Sequence, residues 1–342
     1  MPGRRRIIPA VCLLLVSPLA RAGIFPEKVF SKDAAGTTAV SFIKDPAGAV
    51  FASMGMAGSA YAGPYCAFYN PAGLVGLKKT TSTVYEGPGG QRIIEVEELK
   101  KKSAASFGYD SMFESYGRSS LSFSRPFTAG VGAVSLVYAS QNDLDGFDTK
   151  GTYTGSFGAY DMVAGLSWAS SFRGFDWGVT FKYIHSKIEN QSGSTAAMDA
   201  GIIFRNCCDK SGYVKDFAFT VRNFGLPIGI GSEKEPLPFE AGMGFLIDAK
   251  DGFYGYVDGK LPVDYSPYIA VGIEWKPFEG RQTDLDAAVR AGYNMKRMSE
   301  LDGLGGWSAG GGLTVFGFTL DYAWVPMGDL GSTNRFNLKF EF

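Results

Sequence analysis

Side chains that could act as nucleophiles or metal ligands are scarce in this sequence. His185 is the single histidine, and it lies near the end of a strand-like segment, next to a loop. A serine–histidine lipase or a histidine-dependent protease would have to be built around this residue. A histidine at a membrane–water interface is the simpler interpretation. The sequence therefore predicts no enzyme and no bound cofactor or metal.

The cysteines give little further chemistry. Four are present, and Cys12 lies in a stretch that we expect to be removed. Cys66, Cys207 and Cys208 remain, and an odd number cannot form a fully paired disulfide framework. The adjacent Cys207 and Cys208 could close a strained ring or bind a soft metal, but we favour two ordinary turn residues.

Charged side chains recur singly, opposite the large apolar residues of strand-like segments. They are Lys182, Asp199, Arg205, Arg222, Glu240, Glu274, Arg290 and Asp321. Charges that face an interior need partners, and Glu274 and Arg290 lie on neighbouring segments, so we expect them to pair. These charges either line a polar conduit and latch a hatch, or form a network that fills and stabilises the interior.

Period-two alternation of apolar and polar residues dominates the chain from about residue 118 onward. Between residues 158 and 172, for example, Tyr160, Met162 and Leu166 share one face, whereas Asp161 and Gly165 lie on the other. Fourteen strands are predicted, near residues 80–86, 118–126, 130–140, 156–171, 176–189, 195–206, 214–224, 238–248, 253–261, 267–278, 284–295, 306–315, 317–326 and 333–342. Residues 103–110 are either a further strand or part of a long first outer loop.

The faces of these strands predict the fold class, which is all-β: a transmembrane antiparallel β-barrel of about 14 strands. Aromatic residues lie near the ends of the apolar faces, and the opposite faces carry Gly, Ser, Thr and single charges, which suits a polar interior. Alternate links between strands are short, as in an even-stranded barrel with both termini on one side. A secreted soluble β-protein remains the alternative, because a sandwich alternates too.

The last strand supports membrane assembly. Phe336, Leu338, Phe340 and Phe342 alternate with polar or charged residues up to the end of the sequence. A soluble edge strand that exposed four large apolar residues would invite aggregation. We interpret these four residues as an assembly signal for the barrel-assembly machinery of an outer membrane.

The N-terminus predicts export. Residues 4–6 are arginines, residues 7–16 are mostly apolar, and residues 20–22 form an Ala-Arg-Ala cleavage pattern, which together indicate a signal peptide over residues 1–22. The whole chain has a net charge of −1, and the loss of four arginines makes the mature chain more acidic. Nucleic-acid binding, which needs a basic face, is not expected.

A segment without charge follows the signal peptide. Residues 46–77 contain no Asp, Glu, Lys or Arg but six glycines and three prolines, which would make a poor membrane-spanning helix. We expect this segment to pack inside the barrel. The predicted organisation is therefore a signal peptide over 1–22, an N-terminal hatch or plug over 23–78, and a transmembrane barrel over 79–342.

Several short motifs resemble the PorV/PorQ family of outer-membrane proteins, which is itself similar to FadL-type long-chain fatty-acid channels. The hatch motif consists of Met54, Gly55, Gly58, Asn70, Pro71, Ala72, Gly73 and Leu74. Further matches lie at residues 221–225, 237–239, 272–275, 290–293 and 321–323. The resemblance implies a fourteen-stranded barrel with an N-terminal hatch that leads through residues 70–74 into the first strand.

The resemblance leaves two functions open. FadL-like members pass hydrophobic molecules across the outer membrane of diderm bacteria, whereas PorV holds exported cargo at the cell surface for type IX secretion. The expected partners are therefore outer-membrane lipid, the barrel-assembly machinery, and either hydrophobic small molecules or secreted protein cargo.

Overall fold

The computed structural model describes residues 23–86, 92–112, 116–207, 213–231, 233–279, 285–301 and 303–342. The predicted signal peptide and Cys208 lie outside these residues. Within the part of the chain that the structure describes, no helix is long and apolar enough to cross a membrane.

The structure is built almost entirely of strands. They are β1 (Lys78–Glu86), β2 (Arg92–Lys101), β3 (Ala104–Ser111), β4 (Gly117–Pro126), β5 (Val131–Phe147), β6 (Tyr153–Phe172), β7 (Phe175–Ile188), β8 (Gln191–Phe204), β9 (Val214–Gly225), β10 (Ile228–Ile230), β11 (Glu233–Glu235), β12 (Glu240–Asp248), β13 (Phe253–Pro262), β14 (Tyr268–Trp275), β15 (Leu285–Asn294), β16 (Trp307–Val315), β17 (Phe318–Pro326) and β18 (Ser332–Glu341). The helices are α1 (Ala49–Ser53), α2 (Met295–Glu300) and short 3-10 turns at Lys32–Ala34, Ser41–Ile43, Pro64–Phe68, Pro71–Leu77 and Gly328–Leu330.

Fourteen of the strands, β3 to β9 and β12 to β18, form one closed antiparallel barrel. Closure joins β18 to β3, with Asn334 opposite Ser111 and Glu341 opposite Ala104. The predicted fold class, an antiparallel barrel of about 14 strands, is confirmed. We call the end that contains Glu341 the terminal rim and the opposite end the distal rim.

The identity of the first barrel strand differs from the prediction. Residues 80–86 belong to β1, which pairs with β2 in a separate two-stranded sheet. The barrel starts at Ala104, in the segment that the sequence left ambiguous, and not near residue 79. In β3, Phe107 and Tyr109 are exposed whereas Ser106 and Asp110 are buried. Residues 80–86 carry no such run of alternating large apolar residues, which is consistent with their place outside the barrel.

Alternation along each strand separates an apolar outer face from a polar inner face. On β17, Phe318, Leu320 and Tyr322 are exposed, whereas Thr319 and Asp321 are buried. Successive side chains of a strand point to opposite faces, so the same alternation around the closed barrel leaves a continuous apolar outer belt.

Two hairpins at the terminal rim are two-residue turns. Phe316 and Gly317 have φ of 48° and 84°, and Arg173 and Gly174 have φ of 45° and 91°. Type I′ turns need positive φ at both central residues, and glycine adopts that conformation without strain. These tight turns match the predicted short links.

Candidate functional site

The interior of the barrel is occupied by the N-terminal part of the chain. We call residues 38–46 the strap and residues 47–77 the inner segment. The inner segment contacts strands on both sides of the barrel, including β4 to β8 and β15 to β18. Most of it is fully buried, including Phe51, Met54, Asn70 and Leu74.

Glycines on the inner face of the barrel make room for this close approach. A Cβ atom at any of six strand positions would clash with the inner segment. These positions are Gly178, Gly201, Gly244, Gly272, Gly292 and Gly310. A Cβ at Gly310, for example, would lie 2.6 Å from Cβ of Ser53. The barrel wall and the inner segment are therefore complementary in shape.

Asp258 of β13 is the most heavily used anchor of the inner segment. Its Oδ2 accepts hydrogen bonds from the backbone N–H groups of Gly58 and Ser59, both at 3.0 Å. It also accepts from Ser59 Oγ and from the hydroxyl of Tyr69, both at 2.8 Å. Lys260 supplies the nearby positive charge, 3.8 Å from Asp258.

Other strands hold the same segment through neutral and charged groups. The backbone N–H of Ala49 donates to Asn337 Oδ1 at 2.5 Å. Ser308 Oγ accepts from the backbone N–H of Gly55 at 3.0 Å, and the Tyr65 hydroxyl donates to Asp321 at 2.9 Å. Strands β13, β15, β16, β17 and β18 therefore bind the inner segment by hydrogen bonds.

Burial changes the acidity of two groups in the inner segment. It raises the pKa of the Tyr65 phenol well above its ordinary value, and the neighbouring Asp321 adds to that rise. Burial likewise raises the pKa of the Cys66 thiol to about 12. Both groups are neutral at physiological pH, as suits a packed interior.

The residues of the predicted hatch motif lie together in this inner segment. Met54, Gly55 and Gly58 pass the inner faces of β13, β15 and β16, whereas Asn70 lies against β8. Asn70 caps the 3-10 turn at Pro71–Leu77 by accepting from the backbone N–H of Ala72 at 3.1 Å.

The eight predicted interior charges are all paired. Glu274 and Arg290 are 2.8 Å apart, and Arg290 also contacts Asp321 at 2.7 Å. The remaining pairs are Lys182–Asp199 at 2.5 Å, Arg222–Glu240 at 3.1 Å, and Arg205 with Asp176 at 2.7 Å and with Asp216 at 2.6 Å. Arg205 lies beside the terminal rim, just after β8, and its side chain is partly exposed.

The strap lies at the distal rim and is held mainly by arginines. Arg118 donates to the carbonyls of Phe42 and Asp45 at 2.9 and 2.8 Å. Arg222 donates to the carbonyl of Lys44 at 2.5 Å. The Lys44 ammonium in turn lies 2.5 Å from Asp264.

The Asp45 side chain faces further arginines. Its Oδ2 lies 3.3 Å from Arg335 and 3.6 Å from Arg297. Partial burial by itself would favour the neutral acid, but Arg297, Arg335 and Arg118 outweigh it and hold the pKa of Asp45 well below its ordinary value. Asp45 is therefore ionised in the folded protein.

An apolar cluster lies beneath the strap, on the inner face of β5 to β8. It joins Val40 of the strap to buried residues of the wall and of the distal loops. The distal apolar cluster consists of Val40, Val163, Ile184, Ala197, Ile228 and Leu237, with Phe42, Ile43 and Val137 packed against it. A cavity of about 40 Å³ adjoins it, lined in part by Phe42, Phe68 and Val137.

Two further cavities lie near the rims. One of about 180 Å³ at the distal rim is lined by Asp45, Tyr268 and Arg297, among others. The other, of about 530 Å³ at the terminal rim, is lined by charged and aromatic groups that include Lys276 and Tyr65. Within the described residues, no cluster of three or more His, Cys, Asp or Glu side chains could hold a metal ion.

Several important residues escaped the sequence reasoning. Asp110, Arg118, Asp258, Arg297 and Arg335 all bind the strap, the inner segment or one another. Asp258 and Arg335 alternate with apolar neighbours in their strands, so the same period-two criterion could have identified them. Arg297 lies on α2, where no strand pattern points to it.

Two features of the sequence could suggest a hydrolase, but in the structure both take part in hydrogen bonds within the fold. Residues 306–310 have Gly-x-Ser-x-Gly spacing, but Ser308 is buried on β16 and hydrogen-bonds to Ser53 and Gly55. His185 lies on β7, with Nδ1 2.8 Å from Ser194 Oγ and Nε2 3.5 Å from the Tyr160 hydroxyl. The single histidine, His185, contacts Ser194 and not Ser308. Ser308 therefore has no histidine that could activate it as a nucleophile.

The fold resembles that of solved hydrocarbon channels. No protein-family model matches the chain, and no curated protein matches its sequence. A deltaS2S3 mutant of the monoaromatic hydrocarbon channel TodX is 8% identical with a TM-score of 0.51, covering 86% of this chain and 98% of that one. The toluene transporter TodX of P. putida is 10% identical with a TM-score of 0.50, covering 87% and 97%. A Pseudomonas aeruginosa FadL homologue is 11% identical with a TM-score of 0.49, covering 87% and 98%.

The first two of these neighbours establish the fold. The likeness spans most of both chains and supports the barrel fold that the sequence predicted. None of them bears on the PorV/PorQ resemblance, which stays a prediction.

Proposed function

We propose that this protein is an outer-membrane barrel that conducts hydrophobic small molecules. The distal rim faces outward, the terminal rim faces the periplasm, and the inner segment acts as a plug. The distal apolar cluster is the observation that carries the proposal. Barrel interiors in outer membranes are usually polar, so an apolar patch that faces inward suits contact with a hydrophobic ligand.

The outer surface supports the membrane location. Large apolar side chains are exposed on the outer face of strands around the barrel, as on Leu121, Leu166 and Leu320. Exposed apolar patches of that extent on a soluble protein would drive association, whereas in a membrane they contact the hydrocarbon chains of the lipid. The fold of the hydrocarbon channels is compatible with the same role.

The closing strand supports the proposed route of assembly. Phe336, Leu338 and Phe342 are exposed on the outer face of the barrel, where the assembly machinery can bind them. Phe342→Ser is expected to lower the yield of folded barrel in the outer membrane several-fold, because it removes an exposed aromatic side chain of the proposed assembly signal. Electrophoresis of unheated membranes, in which a folded barrel usually migrates faster, measures that yield. An unchanged yield would contradict the assembly role.

Uptake into liposomes tests the conducting function. Liposomes that contain the protein should take up a fluorescent aromatic hydrocarbon faster than empty liposomes. Val137→Asn places a polar group against the distal apolar cluster and should slow uptake at least 5-fold. Val134→Asn, on the outer face of the same strand, is the matched control and should leave uptake near the wild-type rate. Equal uptake by protein-containing and empty liposomes would refute the function.

A docking role in protein secretion, as the PorV resemblance implies, is the second candidate. Two observations favour it: the inner segment is tightly packed, and the long β5–β6 hairpin exposes Phe147 and Tyr153 near its tip. Affinity capture from native outer membranes would then recover a defined set of secreted proteins. Recovery of the barrel alone would argue against this role.

A further inference from the structure

Aromatic side chains on the outer face of the barrel differ between its two rims. Near the distal rim they include the exposed tyrosines Tyr109, Tyr138 and Tyr183. Near the terminal rim they include phenylalanines such as Phe318, whose ring stacks on that of Phe340 with centroids 4.3 Å apart. A phenol exchanges hydrogen bonds with a polar partner, whereas a phenyl ring does not. The distal end of the outer face is therefore suited to polar groups that carry hydroxyls.

An open recess adjoins two tyrosines of this outer face. The rings of Tyr138 and Tyr160 are stacked, with centroids 5.7 Å apart and ring planes at 30° to each other. The recess has a volume of about 480 Å³, and the exposed residues Lys187, Glu189 and Asn190 also line it. We call it the tyrosine recess. It brings an aromatic surface, an ammonium group and hydrogen-bonding groups together in one concave site.

The tyrosine recess lies on the lipid-facing side of the wall. Tyr138 shares a strand face with Leu136, and Lys187 shares one with Phe181, and both of these apolar residues are exposed. Tyr160 and Lys187 are direct partners in the pairing of β6 with β7, so their side chains lie on the same side of the sheet. A molecule bound here would hold its polar part at the aromatic girdle and its apolar part against the outer belt.

Neighbouring polar groups hold the aromatic surface in place. The ring of His185 lies 5.8 Å from that of Tyr160, and its Nε2 is 3.5 Å from the Tyr160 hydroxyl. Nδ1 of His185 lies 2.8 Å from Ser194 Oγ, which is also 2.9 Å from the Tyr183 hydroxyl. A surface that is ordered before binding loses little conformational entropy on binding. The single histidine of the chain is thus a positioning residue for the Tyr160 ring.

We propose that the tyrosine recess binds the head group of a phosphorylated glycolipid in the outer leaflet of the membrane. The C–H groups of a sugar ring carry a small positive charge and stack on the negative face of an aromatic ring. Lys187 pairs with the phosphate, and Glu189 and Asn190 exchange hydrogen bonds with the sugar hydroxyls. The proposal rests on the outward orientation of the distal rim that the proposed function includes, and it does not depend on conduction.

The combination of groups favours a phosphorylated glycolipid over other lipids. A glycerophospholipid such as phosphatidylglycerol carries a phosphate for Lys187 but no ring that stacks on Tyr138 or Tyr160. A neutral glycolipid carries the sugar ring but no anion for Lys187. Only a head group that combines a sugar with a phosphate contacts both the aromatic surface and the ammonium group.

Native mass spectrometry of the full-length protein in non-ionic detergent tests the site, with lipid A, an acylated and phosphorylated disaccharide, as the probe. Tyr160→Leu should weaken lipid A binding about 10-fold, because the stacking surface is lost. Lys187→Gln should weaken it about 5-fold, because a charge-assisted contact with the phosphate is lost. Phe181→Leu, on the same outer face, and Lys250→Gln, an exposed lysine at the terminal rim, are the matched controls and should bind lipid A as the wild type does.

Two further probes separate the possible ligands. Phosphatidylglycerol should bind about 10-fold more weakly than lipid A, since it has no sugar ring to stack. Equal binding of the two lipids would overturn the proposal and assign the recess to anionic lipids in general. Glucose 6-phosphate binding as tightly as lipid A would also overturn it and assign the recess to a soluble sugar phosphate. Wild-type affinity for lipid A in both Tyr160→Leu and Lys187→Gln would reject the site.

A second measurement uses the wild-type protein and does not depend on the folding of any variant. Acetylation of lysines by an N-hydroxysuccinimide ester, read by mass spectrometry, reports the accessibility of each ammonium group. Lipid A should slow acetylation of Lys187 several-fold and leave that of Lys250 unchanged; equal rates at Lys187 with and without lipid A would overturn the proposal. Loss of hydrocarbon uptake alongside intact lipid A binding would reject conduction alone, whereas uptake that persists without lipid A binding would reject the recess alone.

Discussion

Replacing Asp258 by Asn should detach the inner segment from the wall without unfolding the barrel. A single carboxylate oxygen of Asp258 accepts hydrogen bonds from two backbone N–H groups and two hydroxyls. Asp258, Ser59 and Tyr69 are each about 1% exposed, so water cannot easily compensate for weakened hydrogen bonds. The carbonyl oxygen of Asn can take the position of Oδ2 and accept the same four hydrogen bonds, but it carries no net charge, and the NH₂ group takes the position of Oδ1, which is buried without a hydrogen-bond partner among the described residues.

The expected magnitude follows from the number of charge-assisted hydrogen bonds that become neutral. A hydrogen bond to a charged group contributes about 1.5–3 kcal/mol and a neutral one about 0.5–1.5 kcal/mol, so each of the four bonds weakens by about 1 kcal/mol. With some structural relaxation the total is about 3 kcal/mol, which raises the population of locally detached states by about 100-fold. Lys260 also loses a charged neighbour at 3.8 Å, which acts in the same direction.

Hydrogen–deuterium exchange read by mass spectrometry measures this effect. Peptides that cover residues 49–77 should exchange about 100-fold faster in Asp258→Asn, while peptides from β3 to β9 keep wild-type protection. Asp248→Asn is the matched control, because Asp248 forms a partly exposed pair with Lys215 and such pairs contribute at most about 1 kcal/mol. Wild-type exchange in residues 49–77 of Asp258→Asn would refute the anchoring role.

Three further outcomes are expected. Gly201→Ala should lower the thermal midpoint by several degrees because its Cβ would clash with the side chain of Asn70, whereas Gly259→Ala, which meets its nearest neighbour at 3.6 Å, should change it little. Because the pKa of Asp45 lies below its ordinary 3.8, its stabilising contacts persist above about pH 4 and are lost only as the pH falls further; protease protection of the strap should therefore be equal at pH 7 and pH 5. Cys66 should stay unreactive towards maleimide at pH 8 until the protein is denatured, because its thiol is buried and has a pKa of about 12. Rapid labelling of Cys66 itself in the native protein, located by mass spectrometry, would contradict its burial.

Much of the fold could be predicted from local pattern. On β17, the alternation of Phe318, Leu320 and Tyr322 with Thr319 and Asp321 is visible in the sequence, because side chains of a strand alternate every residue. The same pattern identified the inward charges, and pairing of Glu274 with Arg290 required only that neighbouring strands be antiparallel. The absence of charge between residues 46 and 77 led us to expect that segment inside the barrel, and most of its side chains are buried.

Closure of the barrel could not be predicted in this way. The sequence predicted residues 80–86 as the first strand and left residues 103–110 as either a further strand or part of a loop, and only the pairing of β18 with β3 showed which segment closes the barrel. That pairing joins residues more than 200 positions apart. A local pattern contains no information about which distant edge a strand will meet.

The sequence by itself determined that strands alternate, that charges face inward and that an uncharged segment precedes the barrel. Only the tertiary structure decided that Asp45 meets Arg297 and Arg335, and that Asp258 binds Gly58 and Ser59. The physical reason is that alternation is a property of consecutive residues, whereas contacts across the interior depend on how a closed wall surrounds the N-terminal segment. The contacts of Asp45 with Arg297 and Arg335 therefore exist only in the folded barrel.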